Sequence, residues 1–290
     1  TNTENTFAVQ ENERLHISNN SENTLMLSQT VLTKPKEEYI LTFNATGNTE
    51  GLSVLVGNSE KKISAANNTV TFVSDDYTLD LCFRSKGVTD AYIDDVSVIK
   101  KDENRNLIIN GDFSGDGYEK FDVCFDKVKA KAVLKTLDCS VEKNMSINLL
   151  LSPHYFPEFL KEGIEYGPLG FYDYIIDSPV AMEALKAYIY AIMPYVTEYQ
   201  SLTSICLSNE PQYNTALAED VYKDAFINFL KDVHGDNVSS FYGDVTKVSM
   251  PQSVESTSLF YDWRNFNNKV FADWHKQLAT WVKDKAPQMP

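Results

Sequence analysis

The chain is predicted to combine an antiparallel β-sandwich with a following α/β unit built on parallel strands. Three observations lead there. From Phe7 to about Lys100, short runs of β-branched and aromatic residues are separated by Asn, Gly, Ser and Asp clusters, with no helical period between them. From Asp126 onward apolar residues recur at helical spacing. Two short apolar runs interrupt the helical stretches, and such runs suit parallel strands covered on both faces.

Taken in order, the sandwich strands are read at Tyr39–Phe43, Gly51–Val56, Asn68–Phe72, Thr78–Phe83 and Ala91–Ile99. The first helix carries Ala130, Val133, Leu134, Leu137 and Val141 on one face. Ile147-Asn148-Leu149-Leu150-Leu151 is the first parallel strand. Ser178 then stands at an N-cap position with Pro179 in the first helical place, leading into Leu185, Tyr188, Ile189, Ile192 and Val196. Ser204-Ile205-Cys206-Leu207 is the second strand, expected beside the first and parallel to it. Two more helices follow, one through Tyr222, Phe226, Phe229, Leu230 and Val233, the other through Phe266, Val270, Trp274, Leu278 and Trp281.

Composition narrows the partners. With 43% apolar and 12% aromatic residues, the 290-residue chain can build packed cores. Against 41 Asp+Glu it has 26 Lys+Arg, a net charge of −15, which repels nucleic-acid phosphates and anionic membranes. No apolar run reaches the roughly 18 residues of a membrane span. Thr1-Asn2-Thr3-Glu4 lacks the features of a signal peptide, so the chain is read as a mature form or an excised piece. Cys82, Cys124, Cys139 and Cys206 share no metal or redox spacing and are expected to be buried free thiols.

In parallel α/β folds, reactive groups sit just beyond the carboxyl ends of the strands. Two polar clusters fall there: Ser152-Pro153-His154-Tyr155-Phe156-Pro157-Glu158 and Ser208-Asn209-Glu210-Pro211-Gln212-Tyr213-Asn214. A carboxyl group among aromatic neighbours would have its charged form disfavoured, which suits a general acid near neutral pH, and Glu210 is the candidate. Asn209 could donate a hydrogen bond to a sugar hydroxyl. The plainer reading is that Asn-Glu-Pro caps a loop before a helix.

Ile205-Cys206-Leu207-Ser208-Asn209-Glu210-Pro211 resembles the fourth barrel strand of clan A glycoside hydrolases, which ends in an Asn-Glu pair. Asn144–Pro157 resembles the third strand and its aromatic exit loop in enzymes similar to family 42 β-galactosidases, and Tyr261–Asn267 with Phe271–His275 resembles the segment after their fourth strand. The resemblance covers residues 121–290 and implies a (β/α)8 TIM barrel, a retaining mechanism and a β-galactoside or related β-glycan as substrate. Carried over residue by residue, Glu210 matches the acid/base, Asn209 its sugar-binding neighbour and His154 a polar residue at the strand-three exit. Tyr155, Phe156, Tyr213 and Trp263 are candidate stacking surfaces for sugar rings or packing residues.

The match is incomplete. A whole barrel uses about 250 residues, more than the segment offers. The family nucleophile ends strand seven, and Glu255 lies in a loop-like stretch, so the second carboxylate is expected to be missing from this chain. Tyr92-Ile93-Asp94-Asp95-Val96-Ser97-Val98 resembles the closing strand of jelly-roll carbohydrate-binding modules, and Asn106–Phe113 the opening strand of a next one. The domains are therefore read as a module-like sandwich at 1–105, a linker or second-module start at 106–120 and a partial barrel at 121–290. The resemblance implies a structural calcium at Asp94 and Asp95, since that ion takes hard oxygen ligands, with a surface acidic pair as the plainer reading. No cofactor is expected for catalysis. Tyr39, Phe72, Tyr77 and Phe83 are sugar-binding or core aromatics. The leading expectation is a secreted or surface polysaccharide-degrading glycosidase. The alternatives are a non-catalytic carbohydrate-binding protein and an α/β adhesion domain whose Asn-Glu-Pro is coincidental.

Overall fold

The computed structural model describes residues 6–114, 125–151, 170, 172–210, 212–254 and 257–289. The chain divides into two compact units, Thr1–Met145 and Ser146–Pro290.

Nine strands build the first unit: β1 (Thr6–Glu11), β2 (Arg14–Asn19), β3 (Thr24–Leu32), β4 (Glu38–Asn48), β5 (Leu52–Val56), β6 (Ser59–Lys62), β7 (Asn67–Val73), β8 (Thr78–Lys86) and β9 (Thr89–Lys100). They form two antiparallel sheets, ordered β1-β2-β9-β4-β7 and β3-β8-β5-β6. Alternation sets the faces: Tyr39, Leu41, Phe43 and Ala45 of β4 are buried, while the residues between them are less so. Phe43 of one sheet meets Phe83 of the other edge to face at 5.2 Å. Tyr39 is likewise core, with the half-buried Phe72 stacked on it at 5.6 Å, so two of the four candidate sugar-binding aromatics, Tyr39 and Phe83, are buried in the core. The fourth, Tyr77, donates its hydroxyl to Asp138.

Asn106–Phe113, read from sequence as the opening strand of a next module, is bonded to the first one. It lies back across the first sandwich as a strap. Leu107 N–H donates to Val98 O at 2.8 Å and Val96 N–H to Gly111 O at 2.7 Å. The Asn106 side chain accepts from Val98 N and donates to Val96 O, and Gln29 of β3 pairs with both backbone groups of Ile109. A Cβ on Gly111 would stand 2.0 Å from Val96 O, so only glycine lets the strap come this close. Beneath it is a cavity of about 330 Å³ lined by Leu15, Leu27, Phe83 and Ile108 among others.

Helix α1 (Lys127–Glu142) starts where Asp126 caps Val128 N and Lys129 N. It belongs with the sandwich, so the division falls after Met145 rather than near residue 121. Lys127 pairs with Asp80, Lys131 with Asp76, and Asp138 receives the Tyr77 hydroxyl. These lysines hold both aspartates below the usual carboxylate pKa, chiefly by hydrogen bonding. Cys82 is buried as expected, but Cys139 is exposed because it sits on the outer face of α1.

The second unit runs β10 (Ile147–Leu150), α2 (Pro179–Val196), β11 (Leu202–Cys206), α3 (Glu219–His234), α4 (Val238–Tyr242) and α5 (Ser258–Lys285). Ser178 caps α2 with Pro179 in its first turn, as the sequence predicts. β10 and β11 are parallel neighbours, with Ile147 opposite Leu202 and Leu150 opposite Cys206. Among the described residues these are the only strands of that sheet, and no closed barrel is seen. Phe226 of α3 packs against Phe266 of α5 at 5.3 Å. The buried Asp262 of α5 receives Tyr242 and contacts His234, tying three helices together. No helix among the described residues is long and apolar enough to cross a membrane.

Candidate functional site at the carboxyl end of the parallel strands

Because β10 and β11 run the same way, both of their exits open at one edge of the sheet. His154 and Tyr155, on the first exit, lie outside the described residues, as does Glu255. The second exit is described on both sides of Pro211. Asn209 and Glu210 are exposed just past β11, and Glu210 has φ 43°, in the left-handed region that a residue with a Cβ adopts at a cost. Its exposure means that desolvation of the carboxyl group would have to come from a ligand closing over it.

The flanks of this turn are fixed by α5. Trp263, Asn267, Phe271 and His275 are spaced by four and form one ridge along the helix. Trp263 Nε1 donates to Thr215 Oγ1 at 3.1 Å. Asn267 accepts from Thr215 N at 2.9 Å and donates to Tyr213 O at 2.8 Å. Phe271 lies 6.4 Å from the Tyr213 ring and edge-on to His275 at 4.3 Å. His275 Nε2 meets Ser208 Oγ at 2.6 Å. Burial holds the His275 pKa below the ordinary histidine value, keeping the ring neutral at neutral pH. Tyr172 stands nearby in the same aromatic cluster, 5.5 Å from Trp274, its pKa pushed by burial up to about 12 while Ser208 draws it back.

Tyr213 and Trp263 are therefore packing residues here. Both are buried, and neither presents a ring face to solvent. The Tyr213 hydroxyl accepts from Ile176 N and bonds Tyr222, which in turn donates to Asp177. Burial raises the pKa of both tyrosines. Gly170, at φ +93°, bridges to Tyr213, and a Cβ there would lie 2.7 Å from Gln212 O. Sequence reasoning placed Asn267, Phe271 and His275 within the segments that resemble the family but gave them no role; their spacing of four was the available signal.

The Asp94–Asp95 pair shapes a β-bulge. Register moves from Thr42 opposite Ser97 to Asn44 opposite Asp94, so Asp95 and Val96 face the single Phe43. Asp95 takes φ 51° and accepts from Asn44 Nδ2 at 2.7 Å, while Asp94 faces Arg14 at 3.9 Å. Their carboxylates thus meet protein donors, one of them cationic. Among the described residues no group of three or more His, Cys, Asp or Glu converges as a metal site.

No protein-family model matches the chain. No curated protein matches it either. Among solved structures it is similar to a cold-adapted β-galactosidase from Rahnella sp. R3, at 15% identity and a TM-score of 0.47, covering 61% of this chain and 29% of that one. The chain thus spans less than a third of that enzyme's length. It is also similar to the Gap123 glycosylation-associated protein complex of Streptococcus agalactiae, at 11% identity and a TM-score of 0.27, covering 86% of this chain and 92% of that one. Both fall below the similarity at which a common fold is assigned.

Proposed function

We propose that the second unit is part of a (β/α) barrel of a retaining glycoside hydrolase acting on β-galactosides or related β-glycans. The observation that carries the reading is Glu210, exposed in a left-handed turn at the carboxyl end of a strand whose neighbour is parallel. Strained backbone at such an edge is characteristic of sites where a side chain must be aimed. In the proposal Glu210 protonates the leaving oxygen and then activates water, and Asn209 holds a sugar hydroxyl that strengthens its bond in the transition state. His154 and Tyr155 would stand on the neighbouring exit. The nucleophile of the proposed mechanism is a second carboxylate, which the resemblance puts at the end of a seventh barrel strand. The sandwich, whose strand order β2-β9-β4-β7 over β3-β8-β5-β6 is that of a jelly roll, serves as a carbohydrate-binding-module-like partner. The enzyme works outside the cell or at its surface.

The test is kinetic, on the full-length protein. Glu210→Gln lowers turnover of a β-galactoside with a poor leaving group by about 10²- to 10⁴-fold. It spares the protonation-independent step with a dinitrophenyl galactoside, and azide rescues the second step. Wild-type rates on both substrates would make Glu210 a loop residue only. A wild-type protein that binds galacto-oligosaccharides without cleaving them would leave the non-catalytic carbohydrate-binding alternative standing.

A further inference from the structure

We propose that His275 is a positioning residue for the Asn209–Glu210 turn, acting through Ser208; its catalytic consequence rests on the acid/base reading of Glu210. A glutamate in a left-handed conformation relaxes unless both flanks of its turn are held. The downstream flank is held three times over from α5, by Trp263 on Thr215 and by Asn267 on Thr215 and Tyr213. On the upstream flank, the 2.6 Å contact between Ser208 Oγ and His275 Nε2 is the corresponding tie from the same ridge.

His275 is suited to the task because its own orientation is set. Phe271 packs edge-on against it at 4.3 Å and Trp274 lies 5.1 Å away, so the imidazole cannot swing off Ser208 without unpacking the helix face. Ser208 is only two residues from Glu210, so a loss of this tie is transmitted directly to the carboxyl group. A misplacement of about 1 Å in a catalytic group is enough to cost roughly 10²-fold in rate. His275 touches no reacting atom in this scheme.

Two measurements test it. Hydrogen exchange on the 290-residue chain should show amides of residues 208–210 and 212–213 exchanging at least about 10-fold faster in His275→Ala, with β10 and β11 unchanged. Ser208→Ala should give the same loosening, and the double variant should be no worse than either single one, since both remove one tie. His275→Gln, which keeps a polar group within reach of Ser208, should restore most of the protection. In full-length enzyme, His275→Ala should lower kcat about 10- to 100-fold with KM within about twofold. Unchanged exchange in His275→Ala, or additive effects of the two single variants, overturns the proposal. If exchange loosens as expected but Glu210→Gln leaves catalysis intact, the tie stands and the acid/base reading falls. If Glu210→Gln is crippled and His275→Ala keeps full kcat, the positioning role falls alone.

Discussion

Replacing Gly111 by alanine should damage the first unit far more than a one-carbon change on a surface segment suggests. The new Cβ would lie 2.0 Å from Val96 O, 3.0 Å from Val96 C and 3.1 Å from the Ile108 methyl, and two of those three atoms are backbone. A flexible side chain cannot yield to relieve the overlap, so the strap must lift. Lifting breaks the 2.7 Å bond from Val96 N–H to Gly111 O, and Val96 is buried. Leaving a buried N–H without its acceptor costs about 1–3 kcal/mol, and overpacking costs about 1–3 kcal/mol. The expected loss is thus about 2–6 kcal/mol, or on the order of 10 °C in Tm for a unit of this size. The assay is thermal and urea unfolding by circular dichroism, with hydrogen exchange locating the loss to β9 and the strap. Gly87→Ala is the control: Gly87 has φ +89° and open space around a built Cβ, so backbone strain of about 1–2 kcal/mol is its whole penalty. If Gly111→Ala costs no more than the control, the strap does not depend on this close approach.

Two other expectations concern stability. Tyr213→Phe removes the hydroxyl that joins Ile176 N to Tyr222, and should cost about 1–3 kcal/mol in chemical denaturation while leaving galactoside affinity unchanged; a large affinity loss with full stability would return Tyr213 to the sugar-binding surface. Folding lowers the pKa of Asp76 and Asp80, so the stability they contribute is complete above the ordinary aspartate value and is lost as pH falls through the folded-state pKa. Being largely exposed, each pair is worth about 0.2–1 kcal/mol, so a Lys127→Ala/Lys131→Ala variant should trail the wild type near neutral pH and converge with it once pH has fallen through the lowered aspartate pKa values. A gap that persists unchanged in acid would show that α1 is held by something other than these pairs.

Local pattern carried the elements that obey local rules. β4, β5, β7, β8 and β9 fall on the alternating runs, β10 and β11 on the short apolar ones, and α2 on Ser178-Pro179. What the sequence hid depends on partners far along the chain. The helical face of α1 is visible in the text, but its grouping with the sandwich is accompanied by ties from Lys127, Lys131 and Asp138 to residues 47 to 61 positions earlier. Asn106–Phe113 reads as a strand that opens a sandwich, yet Asn106 and Gly111 fit β9 of the sandwich just completed. The same limit governs the site. The position of Glu210 just past the second strand was legible from the apolar run before it, whereas the orientation of Trp263 was decided by Thr215, 48 residues away.

The ridge on α5 has an optical consequence. All three tryptophans of the chain, Trp263, Trp274 and Trp281, ride on this one helix. Two of them are buried, one bonded to the segment downstream of Glu210 and the other packed beside the imidazole that meets Ser208. Tryptophan emission from the 290-residue chain, excited to the red of the tyrosine band, is therefore a signal from α5 that says little about the sandwich. Under the proposed function, a saccharide that ordered the turn at Glu210 would be followed by a shift of that emission with no dye attached, while unfolding of the sandwich would pass unseen in the same channel.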